Sequence, residues 1–418
     1  MPNRPELKFP KNFLWGVTTS AHQIEGGQHN QWTVWELENA KTLAAQAPYQ
    51  YDDLENWPGV KKQAVNPANY VSGKAANHYE LYEQDIELAR RMRMNAYRFS
   101  VEWSRIQPER DAWNAEAIEH YKSVLAALQK REIEPVVTLF HFTVPVWFAQ
   151  LGGFERASNV QYFVLFAERI LRELGPTVKY VITMHEPEVY AAESYLRGVW
   201  TPQIQNKKQF VRVIRNLAKA HNKVARIAHT MSRRYKVSVA KNSKYAYPGD
   251  DSWLSVRSAA GLQYFQDDYF LKRVIKNCDF IGVNYYQNAR VFGYRVHNPD
   301  ARVSDIGWDM QPEYIERALE RLYEKYQKPL FVTENGVADG EDEYRQWWLA
   351  QTIMALQRSR DNGVELIGYL HNGLIDGFEW NKGFWPRYGL FAVDYKTYER
   401  TPRKSAVWLA RVLKKIRT

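Results

Sequence analysis

The stretch KYVITMHE, residues 179–186, is apolar almost throughout and closes on a carboxylate. A short run of that character fits a strand buried on both faces, as in a parallel sheet. Seven more runs of the kind are spaced along the chain: FLWGVTTS (13–20), NAYRFS (95–100), EPVVTLFH (134–141), VSVAKN (237–242), DFIGVNYY (279–286), PLFVTEN (329–335) and VELIGYLHN (364–372). Helical patterns lie between them, over 77–92, 114–131, 158–174, 207–231, 256–276, 312–327 and 342–361, with a last one over 403–416. Asn77 with Glu80, and Ser158 with Gln161, have the spacing of N-terminal cap pairs. Eight strands alternating with eight helices is the arithmetic of an α/β fold, the (β/α)8 TIM barrel. An open doubly wound sheet would want a Gly-rich phosphate loop after an early strand. The first strand runs instead into TTSAHQIEGG.

Residues 21–76 are rich in Trp, Tyr, Asn and Pro and read as one long loop insertion after strand one. In a barrel this loop lies at the C-terminal mouth, where active sites are built. No linker or break in composition interrupts the chain, so a single domain over 1–418 is expected.

The chain has 418 residues, 45% hydrophobic and 25% charged, enough to bury a full core. No stretch reaches the roughly 18 apolar residues of a membrane helix. The opening MPNRPELKFPKNF has no apolar core behind its charges, so no secretory signal is expected. The lone cysteine, Cys278, permits no intrachain disulfide, which suits a reducing compartment such as the cytoplasm. An apolar run follows it, and a buried, inert thiol is expected. The net charge of +10 could point to nucleic acid or an anionic surface. It is spread over the outer helices, however. Its densest cluster, RTPRKSAVWLARVLKKIRT, is an amphipathic final helix with Val407, Leu409, Val412 and Ile416 available for packing.

Glu186 ends strand four and Glu334 ends strand seven. One carboxylate at a strand end is as often a cap or a salt-bridge partner as a reagent. Two, in the contexts MHEPE and TENG, suit glycoside hydrolysis, which needs a pair of carboxyl groups facing each other across the scissile bond.

FLWGVTTSAHQIEG (13–26), NAYRFSVEWSRIQP (95–108), HFTVPVWF (141–148), DFIGVNYY (279–286), VTENG (332–336) and GFEWNKGFWPRYGLFAVDY (377–395) occur in that order. In these motifs, over nearly its whole length, the chain resembles the family 1 glycoside hydrolases, the β-glucosidase and β-galactosidase group. The resemblance implies a retaining double displacement with Glu334 as nucleophile and Glu186 as acid/base. It implies that Arg98 and Tyr286 hydrogen-bond the nucleophile. A cation there should lower the pKa of Glu334, while Glu186 should be raised so that it can act as an acid. Gln23, His141, Glu379 and Trp380 match residues that hold the sugar's hydroxyls, and Asn284 matches the asparagine of the NYY motif. No cofactor or metal is implied, and the partner is a small glycoside. The family's members acting on 6-phosphorylated sugars lack the Glu-Trp pair. The intact Glu379-Trp380 therefore favours an unphosphorylated sugar, since a carboxylate repels phosphate.

Two positions depart from the family. His185 stands where an asparagine normally donates to the sugar's 2-hydroxyl. Asn372 stands where a tryptophan normally forms the platform under the ring. Lower activity on ordinary glucosides or a changed preference at the 2-position is expected from the first, and an emptier subsite from the second. The 21–76 and 288–311 regions are expected to shape the aglycone side. Two rivals remain: a sugar-binding protein on a decayed hydrolase fold, and a metal hydrolase using His141, His185 and His371. The second suffers because His371 and Asn372 are adjacent and cannot both face the lumen of a regular strand.

Overall fold

The computed structural model describes residues 7–417. The reading of the N-terminal leader falls partly on residues 1–6, outside the described residues. Eight parallel strands close a barrel: β1 (Leu14–Thr18), β2 (Ala96–Ser100), β3 (Glu134–Thr138), β4 (Tyr180–His185), β5 (Lys236–Asn242), β6 (Ile281–Tyr285), β7 (Leu330–Asn335) and β8 (Leu366–Asn372). Each pairs with its neighbour in sequence, and β8 returns to β1, with Leu14 opposite Gly368 and Thr18 opposite Asn372. Two apolar layers result. Ala96, Val136, Tyr180, Ile182, Ala240, Phe280, Phe331 and Leu370 fill the lumen below the mouth. Their strand neighbours join the larger core between the sheet and the outer helices. Each large side chain sealed in this way contributes about 1.5–3 kcal/mol.

The outer helices follow the sequence reading within a few residues. They include His78–Arg91, Ala115–Gln129, Val160–Leu174, Lys207–Met231, Ile315–Tyr326, Arg345–Asp361 and Lys404–Ile416. The segment expected to be helical over 256–276 is Trp253–Gln263 and Tyr269–Val274, joined by a π-turn at Tyr264–Asp268. Neither expected cap pair forms. Asn77 takes a left-handed conformation and makes no side-chain cap bond, and the helix after Ser158 is capped at Asn159, also without one. In the last helix Leu409 is buried, while Val412 and Ile416 pack partly on the core; Val407 is 44% exposed and does not pack as expected.

The insertion after β1 is mostly helix rather than loop. Gln31–Tyr51 is a 21-residue helix and Trp57–Ala64 a second one. A capping box starts the first: Asn30 accepts from the Thr33 N–H at 3.0 Å, and the Thr33 hydroxyl accepts from the Asn30 N–H at 3.0 Å. Its buried face is made of Trp32, Trp35, Ala40, Ala44 and Ala47, and Pro48 lies in its last turns. Small alanines in place of large apolar residues, together with that proline, hide the helical period. Cys278 is buried, and burial pushes its thiol up to about 12, so the inert reading holds. Among the described residues no helix is long and apolar enough to cross a membrane.

Candidate active site

Both strands that carry the carboxylates are irregular just where the carboxylates emerge. On β7 the register against β6 slips between Val332 and Glu334, so that Glu334 lies opposite Asn284. On β4 the register against β5 slips between Ile182 and His185. A bulge breaks strict alternation and re-aims side chains. Two consecutive residues can therefore reach the lumen on each strand. Thr333 and Glu334 both bond Asn284, whose carbonyl oxygen accepts from the Thr333 hydroxyl at 2.8 Å and whose amide donates to Glu334 Oε2 at 3.1 Å. Likewise His185 and Glu186 both face the site, Glu186 with a left-handed φ of 41° at the start of the next helix. Glycine follows Asn335 because a Cβ on Gly336 would come within 2.0 Å of the Asn372 carbonyl oxygen.

The Asn284 amide also donates to Glu186 Oε1 at 2.8 Å, and the Asn242 amide donates to the same oxygen at 3.1 Å. One oxygen of Glu186 thus takes both donors, so the proton of its acid form belongs on Oε2. Ligand atoms of Glu186, Glu334 and His185 all lie within 4.8 Å of one another. Burial raises the pKa of Glu186, against the pull of its two amide donors. The direction agrees with the sequence expectation.

For Glu334 the expected lowering by Arg98 is present but outweighed. Burial pushes its carboxyl up to about 8, although Arg98 opposes this. The guanidinium is committed elsewhere. It donates from Nε to Thr138 Oγ1 at 2.9 Å, from Nη1 to the Thr333 carbonyl at 3.1 Å and from Nη2 to His185 Nδ1 at 2.8 Å. Its nearest approach to Glu334 Oε1 is 3.7 Å, an ion pair without a hydrogen bond. The negative charges of Glu186 and Glu379 push Glu334 further up. Tyr286 acts as a hydrogen-bond donor that pulls it down. The Tyr286 hydroxyl oxygen accepts from the Asn372 amide at 2.7 Å, which leaves its proton for the carboxylate. Asn372 therefore holds the tyrosine of the nucleophile, and the tryptophan platform has no counterpart at this position.

His185 is neutral: burial, His141 and Arg98 all drive its pKa well below the ordinary value. Because a guanidinium can only donate, Nδ1 of His185 must accept, and the ring hydrogen belongs on Nε2. That N–H faces Glu334 Oε2 at 3.5 Å. His141 stacks on the His185 ring at 3.6 Å, and Trp380 stacks beyond His141 at 5.9 Å. Gln23 donates to Glu379 Oε2 at 3.2 Å and to the Phe378 carbonyl at 2.8 Å. Burial lifts Glu379 to about 7.

All eleven residues picked from the sequence gather at this end of the barrel. Asn242, Thr138 and Thr333 were missed. Asn242 ends β5 as Glu186 and Glu334 end their strands, and that position was its available signal. His371 is not at the site. It faces the outer helices, where Tyr369 and His371 lie 3.2 Å apart through the phenol oxygen and Nδ1. Strand β8 is regular against β1 here, so Leu370 and Asn372 point inward and His371 outward. The three-histidine metal set is thus not assembled. Glu188, the second acid of MHEPE, faces a buried cluster with Lys241 Nζ at 3.6 Å.

A closed parallel barrel with paired carboxylates and a polar lining at its C-terminal mouth is the arrangement of a glycosidase. The chain belongs to glycosyl hydrolase family 1, whose model matches residues 6–284 and 271–417. It is 28% identical to a 1,4-beta-D-glucan glucohydrolase of Thermotoga neapolitana, over 97% of this chain and 98% of that protein. The β-glycosidase of Pyrococcus horikoshii superposes with a TM-score of 0.85 at 34% identity, covering 98% of this chain and 96% of the other. The β-glucosidase of Thermotoga maritima, in complex with glucoimidazole, gives 0.85 at 26% identity, covering 98% and 99%.

Proposed function

We propose that the protein hydrolyses β-O-glycosidic bonds of small, unphosphorylated glycosides with retention of configuration. The observation that carries this reading is the short gap between Glu186 and Glu334, their nearest ligand atoms within 4.8 Å. Retaining enzymes hold their carboxyl groups about 5–5.5 Å apart, whereas inverting ones need about 6.5–9.5 Å to fit a water. Both buried carboxyls are raised, Glu334 in part by the charge of Glu186, so the two share one proton; with that proton on Glu186 Oε2, the ionised Glu334 attacks the anomeric carbon while Glu186 gives the proton to the leaving oxygen. Glu186 then takes a proton from water, which releases the sugar from Glu334.

The lining supports a sugar in the first subsite. His141 Nδ1 is buried with no protein partner among the described residues, and an orphaned ring nitrogen there suits a substrate hydroxyl. The Nε2–H of His185 faces the same oxygen of Glu334 that faces Asn284, so it is placed to donate to a 2-substituent. Glu379 beside Gln23 disfavours a phosphate. The lone buried Cys278 suits the cytoplasm. Aryl β-glycosides of glucose, galactose, fucose, mannose and N-acetylglucosamine test the reading. Glu334→Ala is expected to lower kcat/KM on the best of them by about four orders of magnitude or more. Wild type and variant both matching buffer would favour a binding protein instead.

A further inference from the structure

We propose that Asp267 is a positioning residue for the acid/base: from behind the sheet it fixes Asn242 and, through it, the oxygen on which Glu186 carries its proton. This rests on the hydrolytic reading above. Side chains alternate along β5. Asn242 turns to the site, where its amide donates to Glu186 Oε1 at 3.1 Å. Its two chain neighbours, Lys241 and Ser243, turn the other way, and both end on one oxygen of Asp267. Lys241 Nζ donates to Asp267 Oδ1 at 2.9 Å, and the Ser243 hydroxyl donates to the same atom at 2.8 Å. Lys241 also donates to the Asn242 carbonyl and, at 2.8 Å, to the Gln266 carbonyl. The Ser243 N–H donates to the Asn284 carbonyl at 2.8 Å, which ties the same strand end to the other amide that serves Glu186. Asn242 is thus pinned on both sides by one carboxylate.

That carboxylate is itself held. Asp267 lies in the π-turn Tyr264–Asp268, whose wider winding puts two consecutive aspartates, Asp267 and Asp268, on the buried side. Turns of this kind are rare and occur mostly at functional sites. Asp267 Oδ2 accepts from the Gln263 amide at 2.6 Å and from the Arg321 guanidinium on the helix Ile315–Tyr326. Lys241, Ser243 and Asp267 are all fully buried. A buried ion pair adds little net stability over well-packed apolar residues. What it adds here is geometry. Without Asn242, Glu186 Oε1 keeps only the Asn284 amide, which Glu334 shares. The carboxyl can then turn, and its proton no longer faces the leaving oxygen.

The test compares phenyl and 2,4-dinitrophenyl β-glycosides of one sugar. Dinitrophenolate leaves unaided, whereas phenolate needs a proton from Glu186. In Asp267→Ala, kcat/KM on the phenyl glycoside is expected to fall roughly tenfold or more, and on the dinitrophenyl glycoside less than about twofold. Asn242→Ala should show the same selective loss. The double variant should lose no more than the worse single one, because Asp267 acts through Asn242. Ser243→Ala removes one of the two bonds and leaves the buried charges paired, so it carries the same comparison if Asp267→Ala does not fold. Equal losses on the two substrates, no loss on either, or single losses that multiply in the double variant overturn the proposal. Hydrolysis of neither substrate by wild type overturns the glycosidase reading itself, and this inference with it.

Discussion

Glu334 stands in a place that costs the fold. Its carboxyl is buried, Arg98 gives it no hydrogen bond, and its pKa rises from the ordinary 4.5 to about 8. Between these two values the native state holds a proton that the unfolded chain has released. By linkage the stability of the native state is then lost as pH rises through that window, by up to about 1.4 kcal/mol per pH unit. A glutamine there carries no such penalty. Glu334→Gln is therefore expected to melt higher than wild type at pH 8 and to lose most of that lead near pH 4.5, as calorimetry across the range would show. A lead that stays constant with pH would mean that the carboxylate is not the strained group. The environment that strains the nucleophile was only half legible in the sequence. The motif NAYRFS puts a cation on β2, but nothing in it says that Thr138, the Thr333 carbonyl and His185 take its donors first. The neutral state of His185 was equally hidden, since its tautomer is set by Arg98, 87 residues away.

At the level of the strand, the bulges on β4 and β7 decide what the alternation rule cannot. Simple alternation sends one of each adjacent pair outward, yet Thr333 with Glu334, and His185 with Glu186, turn inward together. The runs, their order and their ends were readable because buried parallel strands are apolar on both faces. The bulges were not, because the extra residue looks like any other in a run of that kind. The insertion after β1 was misread for a related reason, since its helix buries alanines. The β7–β8 junction offers a direct check. Gly336→Ala pushes a Cβ against the Asn372 carbonyl, and Asn372 holds Tyr286. It is expected to cost about 1–3 kcal/mol in urea unfolding and to lower kcat as well. Full stability with full activity would show that the two strand ends are not locked together.

The molecule as a whole has one job at its mouth, to fix two carboxylates from strands on different sides of the barrel at a set distance. Asn284 on β6 spans that gap by donating to both. The helices, the closed sheet and the filled lumen below make this separation a property of the fold rather than of one loop. Proton NMR of the first sugar released from an aryl β-glycoside, recorded before mutarotation, tests this most directly. Double displacement through Glu334 gives the β-anomer as the initial product; an initial α-anomer would mean inversion and would contradict it.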